Sequence, residues 1–194
     1  GPAAAYMADT QAFIDTTTKL PLVHQPGTVF EYGFSIDVLG AVVEKVSNRK
    51  LGAYLTEALW RPLKMADTAS GVPEGKRERM ARALPNNPIT GKPQNTAYLA
   101  KQTSFDCGGA CAFATIGDYV RFGQMLLNGG NLEGAQILSP QFVAHMTTNH
   151  LGPEIKNRVA NVEPYRAGYG FGLGVAVRLE QGLGAVPGNP RAYS

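Results

Sequence analysis

The 194-residue sequence predicts an α+β chain in which helices dominate and strand character comes late. Apolar residues recur at the helical i, i+3, i+4, i+7 spacing at Ile36, Leu39, Gly40, Val43 and Val46, and a second stripe runs through Leu51, Tyr54, Leu55, Ala58 and Leu59. Near the far end Phe171, Leu173, Val175 and Val177 alternate with small residues, the period-two pattern of a strand. Composition fits a globular chain: 44% of residues are hydrophobic and 17% charged, and no apolar run approaches the ~18 residues of a membrane span. Lys and Arg total 18 against 15 Asp and Glu, an excess too small to imply nucleic acid. Neither a nucleic-acid partner nor a membrane span is expected.

The elements follow in order. A short helix is predicted over 10–19, closed by Pro21. Pro26-Gly27 is a turn dipeptide, because Pro presets φ and Gly accepts a positive φ after it, and the run 28–32 is extended. Ser35 suits a helix N-cap, and the Ile36 to Val46 stripe predicts that this face of the helix is buried. The Leu51 stripe ends at Arg61-Pro62. Residues 69–103 carry Pro73, Pro85, Pro88 and Pro93, so a long excursion that partly covers the site is expected, with Lys76-Arg77-Glu78-Arg79 as a solvated stretch within it. Thr115 or Ala114 precedes a helix through Tyr119, Phe122, Met125 and Leu126, which Asn128-Gly129-Gly130 stops. A hairpin-like turn over 131–137 and a helix capped by Ser139 with Pro140 at its first position come next. No internal repeat or low-complexity tract is present, and Gly1 to Ala5 lack the basic-then-apolar pattern of a signal peptide.

Tyr32, in the run from His24 to Gly40, is the residue with the clearest chemical potential, since it stands just before a helix. A free phenol has a pKa of about 10, so it serves as a base near neutrality only beside a cation that stabilises the phenolate. It therefore needs a lysine and a nucleophile as partners. The bland reading is a half-buried aromatic packed at a strand end.

The stretch from Pro21 to Thr68, the block from Cys107 to Thr147 and the segment Tyr169-Gly170-Phe171-Gly172-Leu173-Gly174-Val175-Ala176-Val177 together resemble serine β-lactamase and penicillin-binding-protein-like hydrolases. That superfamily includes class C β-lactamases, D-aminopeptidases and family VIII carboxylesterases, and the last group is the nearest likeness. Three blocks in one order are more specific than any single motif. The resemblance implies a β-lactamase/transpeptidase-like fold, with this chain supplying mainly the helical domain and part of an antiparallel sheet. Residues 1–165 are expected to be the helical domain, with the long loop at about 69–103, and 166–194 an incomplete strand portion. It also implies an acyl-enzyme mechanism in which an S-x-x-K serine attacks, the lysine and a Y-x-N tyrosine manage protons, and a later strand lines the pocket. Tyr32 matches that tyrosine.

Departures from the pattern shape the expectation. Gly33 and Phe34 follow Tyr32 where the motif calls for a polar third residue, so the amide that would bond an amide substrate is absent. This favours esters over β-lactams or peptides. Ser47-Asn48-Arg49-Lys50 fits S-x-x-K literally but falls at a helix end, whereas a nucleophile is favoured at a helix start. The nucleophilic serine and its lysine are therefore expected outside this chain, as is the pocket-lining strand. His150-Leu151-Gly152 fits the family's H-x-G but follows a helix, and reads as an exposed loop.

Cys107 and Cys111 bracket Gly108-Gly109-Ala110. No second ligand pair completes a zinc site, and a disulfide across so short a loop needs a particular Cα separation, so small residues in a tight turn are the favoured reading. The resemblance puts this turn on one wall of the substrate pocket, with Cys111 where glycine is common. The expected site is thus Tyr32 as catalytic base, with Phe34, Gly109, Ala110 and Cys111 shaping the pocket, and no metal or cofactor. The expected partners are a small-molecule ester and the remainder of the same enzyme. The expected activity is a carboxylesterase on short acyl esters; a β-lactamase or D-amino-acid peptidase, and a non-catalytic binding relative, are the alternatives.

Overall fold

A computed structural model describes residues 9–94, 105–179 and 188–194. Local sequence rules account for most of its elements. Helix α1 (Thr10–Thr17) starts where the Asp9 carboxylate accepts the Ala12 N–H at 2.8 Å. Gln25-Pro26-Gly27-Thr28 closes a turn, with Gly27 at φ 81° and the Thr28 N–H donating to the Gln25 carbonyl at 3.2 Å. Strand β1 (Val29–Phe30) follows, then α2 (Ser35–Ser47), whose first helical residue is Ser35 itself. Helix α3 (Leu51–Leu55) widens into a π turn over Thr56–Trp60. Next come β2 (Ala69–Ser70), a 3-10 turn (Glu74–Arg79) and β3 (Ala112–Phe113). Residues 95–103 of the expected excursion lie outside the described residues; before them Asn86 and Pro93 form an antiparallel bridge.

Helix α4 (Ile116–Leu127) begins at Thr115, whose Oγ1 accepts the Asp118 N–H at 3.2 Å, and ends at Gly129 and Gly130, both at positive φ. The β4 (Asn131–Leu132) and β5 (Ala135–Gln136) hairpin turns through Glu133 and Gly134 at φ 50° and 86°, the pair of positive angles that a two-residue hairpin favours. In α5 (Pro140–Met146) the Ser139 Oγ accepts the Phe142 N–H at 3.1 Å. Strand β6 (Lys156–Asn157), α6 (Val159–Val162) and a 3-10 turn (Pro164–Arg166) lead to β7 (Tyr169–Phe171) and β8 (Ala176–Arg178).

Two expectations need correction. The alternating run from Phe171 to Val177 is not one strand: β7 and β8 pair antiparallel, and Gly172 to Val175 make the turn between them, with the Gly172 N–H donating to the Val175 carbonyl and Gly174 at φ 80°. The glycines that looked like the small half of a strand pattern are turn residues. The buried line of α2 also differs from the apolar stripe. Of the stripe, Gly40 is buried and Ile36 and Val43 half-buried, but Leu39 and Val46 are 54% and 81% exposed, while Asp37 is buried and Ala41, Glu44 and Ser47 half-buried. Polar partners set this face. Asp37 and Glu44 each accept a backbone N–H, and a Cβ on Gly40 would lie 2.9 Å from Leu51 and 3.4 Å from the Gly108 nitrogen.

The chain packs as two compact units that alternate along the sequence. One holds the residues up to Lys19 with Asp37–Arg121, the other Leu20–Ile36 with Phe122–Ser194. In the first, Phe13 stacks on Phe105 at 5.0 Å between centroids, beside buried Cys107, while Trp60, Leu63 and Met65 are also buried. In the second, Val159, Phe171 and Ala176 form the core with Phe30, Leu151 and Tyr169 against them. There β1 and β6 pair in parallel, Val29 opposite Lys156 and Phe30 opposite Asn157. Among the described residues no helix is long and apolar enough to cross a membrane.

Asp118, 9% exposed, ties α4 to the segment before β2: one carboxylate oxygen accepts the Asp67 N–H and the Thr68 hydroxyl, both at 2.8 Å. Asp118→Ala leaves a backbone donor without its acceptor and is expected to lower stability by about 2 kcal/mol, against about 1 kcal/mol for the cap variant Thr115→Ala, read from urea denaturation. Asp67 is held in turn by Arg79 at 2.9 Å and Lys76 at 2.5 Å. Hydrogen bonds from Arg79 and then Lys76 bring its carboxyl down to about 2. A depressed pKa stabilises the fold above the unfolded value of about 3.9, and that contribution is lost as pH falls toward 2. Asp67→Asn should therefore flatten the fall in Tm between about pH 4 and pH 2, an effect that added salt diminishes in the parent protein.

Candidate functional site

Tyr32 stands in the short segment between β1 and α2, and its place is set by what holds β1. The Lys156 N–H donates to the Thr28 carbonyl at 2.9 Å and the Arg158 N–H to the Phe30 carbonyl at 2.8 Å. The Phe30 ring lies 4.7 Å from that of Phe171, and the Tyr32 ring packs on the same Phe171 at 5.9 Å, tilted by 50°. Tyr32 is thus backed by an apolar ring on one side and 40% exposed overall, while Phe34 is 61% exposed. This is a phenol with a fixed ring that solvent and a ligand can reach. Next to it in sequence, Glu31 meets His24, whose Nε2 lies 3.0 Å from the Glu31 carboxylate and 3.4 Å from Arg158 Nη1.

Phe171 is itself fixed by the loop after α5. Asn149 Oδ1 accepts the Phe171 N–H at 3.0 Å and the Leu151 N–H at 3.1 Å, and the His150 N–H donates to the Phe171 carbonyl at 2.8 Å. His150 lies in this exposed loop, its Nε2 2.9 Å from the His145 carbonyl and its ring 4.6 Å from the His145 ring. The H-x-G-like triplet therefore contributes backbone support to the ring behind Tyr32.

In the other unit Gly109, Ala110 and Cys111 share one turn. Cys107 and Cys111 are joined by a disulfide with Cα atoms 5.2 Å apart, well inside the range such a bond spans, in place of the free small residues expected from the sequence. Gly109 and Ala110 are exposed and Cys111 half-buried. The turn is anchored beneath by Asp37, 3% exposed, whose Oδ1 accepts the Gly109 N–H at 2.9 Å. Asp37 was not singled out by sequence; its signal is a carboxylate in the first turn of a helix that is otherwise apolar up to Glu44. Asn149 was missed as well, having only its place before the H-x-G triplet to mark it. The five expected site residues thus fall into two groups, Tyr32, packed on Phe171, with Phe34 in one unit, and Gly109, Ala110 and Cys111 in the turn held by Asp37 in the other.

Ser47 and Lys50 do not form a nucleophile pair. Ser47 ends α2, Asn48 adopts φ 53°, and the Arg49 N–H donates to the Glu44 carbonyl at 3.3 Å, the bond of a Schellman stop. Lys50 lies beyond this break, as the residue before α3, and its Nζ is 3.9 Å from Glu44. Among the described residues no cluster of His, Cys, Asp or Glu could hold a metal ion.

Helices combined with antiparallel hairpins fit a β-lactamase/transpeptidase-like fold, and comparison with known proteins bears this out. The chain belongs to the Beta-lactamase family, whose profile matches residues 1–193. Protein Rv1367c of Mycobacterium tuberculosis is 34% identical over 165 residues, covering 81% of this chain and 40% of that protein. The lovastatin esterase of Penicillium rubens is 29% identical over 178 residues, covering 82% of this chain and 43% of that protein. Among solved structures, EstCE1, a hydrolase with promiscuous acyltransferase activity, superposes with a TM-score of 0.73 at 24% identity, over 96% of this chain and 51% of that one. The chain therefore spans about half or less of the length of these relatives.

The Asp37 and Gly109 pair makes a direct test of the turn. A Cβ at Gly109 would come within 3.0 Å of Asp37 Oδ2, so Gly109→Ala is expected to cost about 1–3 kcal/mol. Asp37→Ala strands the Gly109 N–H at a similar cost. In the Asp37→Ala background Gly109→Ala should cost clearly less than alone, a coupling that a double-mutant cycle of denaturation free energies measures.

Proposed function

We propose that this chain is part of a serine hydrolase that works through an acyl-enzyme, and that the complete protein is a carboxylesterase acting on short acyl esters. The observation that carries the reading is the Tyr32-Gly33-Phe34 triplet at the start of α2. It offers a reachable phenol and, where an amide side chain would engage an amide substrate, an exposed phenyl ring. An ester has no N–H to satisfy, and its acyl or alkoxy carbons gain from an apolar wall. The names of two relatives, an esterase and a hydrolase with acyltransferase activity, support the same class.

In the proposed mechanism a serine on a segment outside this chain attacks the ester carbonyl while its proton passes to the Tyr32 phenolate, which a lysine of that segment keeps ionised. The proton then moves from Tyr32 to the departing alkoxide. Water attacks the acyl-serine in the second half, giving its proton to Tyr32, and the serine oxygen leaves and takes that proton from Tyr32, which restores the phenolate. Phe34 and the Gly109 to Cys111 turn are assigned to the acyl pocket. Ser47 is assigned no catalytic part, because its place at the stop of α2 puts a left-handed residue between it and Lys50.

The test is hydrolysis of p-nitrophenyl butyrate and of a chromogenic cephalosporin by the full-length protein, with a serine-directed fluorophosphonate to locate the nucleophile by mass. Ester turnover is expected, with one adduct outside this chain, and Tyr32→Phe should lower kcat/KM by about 10²–10⁴-fold. Turnover of the cephalosporin alone overturns the ester reading. An adduct on Ser47 overturns the assignment of the nucleophile, and the absence of both adduct and turnover favours a non-catalytic binding relative.

A further inference from the structure

The unit that carries the glycine turn also contains a cavity of about 850 Å³ that the mechanism does not use. Its walls are β2, the 3-10 turn, the chain that follows the turn, and the junction between β3 and α4. Its size lies within the range of about 300–1,000 Å³ typical of small-molecule sites. Much of its lining is apolar. Phe113 and Ile116 stand on one side, and Ile116 is 85% exposed, a large aliphatic side chain left open at the first residue of α4.

The charges in the wall are unequal. Lys76, Arg79 and Arg82 line the cavity, and Asp67 is the carboxylate among the described lining residues. Both oxygens of Asp67 are already engaged, Oδ1 by Lys76 and Oδ2 by Arg79. The nearby Asp118 is committed to the Asp67 N–H and the Thr68 hydroxyl. Glu74 and Glu78 lie on the same 3-10 turn but do not line the cavity. The wall thus keeps an excess of positive charge next to an aliphatic and aromatic surface, with Lys76 and Arg79 held in place by their shared carboxylate and Arg82 beside them. A held pair of cations is preorganised for an anion, and an apolar wall next to it favours a ligand whose charge is confined to one end.

We propose that this cavity is a binding site for an amphipathic anion, a single carboxylate or phosphate head on a short alkyl or aryl tail, with Arg82, Arg79 and Lys76 at the head and Phe113 and Ile116 along the tail. None of the residues lining it is assigned to ester hydrolysis, and the proposal does not depend on that assignment.

Octanoate, octyl phosphate and octanol, titrated into the protein by calorimetry at low and at moderate salt, test both halves of the inference. Octanoate or octyl phosphate should bind more tightly than octanol, with affinity falling as salt rises. Comparison of the two anions tells a carboxylate site from a phosphate site. Arg82→Ala should weaken the anion about tenfold or more, whereas Arg77→Ala, which removes an equal charge outside the cavity lining, should leave it within about twofold. Equal binding of octanol and the anions overturns the proposal, as does anion binding that Arg82→Ala leaves unchanged. No binding of any of the three overturns it as well.

Discussion

The first unit depends on acidic side chains that accept backbone N–H groups of other segments, three of them more than fifty residues away. Asp37 takes the Gly109 N–H, Asp106 the Gly52 N–H at 3.0 Å, Asp118 the Asp67 N–H, and Glu44 the Leu51 N–H at 2.9 Å. Strands in this unit are two residues long, so ladder bonds alone do little to fix one segment against another. Carboxylates do that work instead. A charge-assisted bond to a backbone donor is stronger than a neutral one, and in a buried place it leaves no cheap alternative arrangement. The close approach this permits explains why Gly40, Gly52 and Gly109 stand where they do: each faces a neighbour so near that an added methyl group would crowd it.

The second unit solves the same problem with an amide and aromatic rings. Asn149 accepts two N–H groups and donates to the Leu151 carbonyl, so one side chain shapes the loop and fixes Phe171. Phe171 then supports both Phe30 and Tyr32. The chain of support behind the candidate base therefore runs from a half-buried amide to a phenyl ring to a phenol ring, and each link restricts the next. A base on an extended segment gains orientation in this way without being buried, which keeps it available to a substrate.

Features governed by neighbours in sequence were legible. The Ser139 and Thr115 caps, the Pro26-Gly27 turn, the glycine stop after α4 and the arrest of α2 around Asn48 each rest on a few adjacent residues. The fold class was legible as well, through three blocks in one order. The rest was set by partners too distant to read. Nothing within α2 says that Asp37 and Glu44 turn toward neighbours in the fold, because the reason lies at Gly109 and Leu51. The glycines between Phe171 and Val177 satisfy both a strand pattern and a hairpin turn, and pairing across the hairpin selects the second. The cysteine pair could be settled only by the 5.2 Å between its Cα atoms. Asn149 is visible only once its three hydrogen bonds are drawn.

The parallel pairing of β1 with β6 has a consequence for the order in which the chain takes shape. Phe30 meets Asn157 across more than a hundred residues of intervening chain, and Tyr32 finds its backing ring later still. At ~5–20 residues per second of synthesis, the segment around Tyr32 waits on the order of ten seconds before its partners exist. The first unit has all of its described residues in hand by Arg121, well before that. The segment carrying the candidate base thus emerges well before the strand and the ring that fix it, and a translational pause before β6 would prolong its exposure to chaperones and proteases.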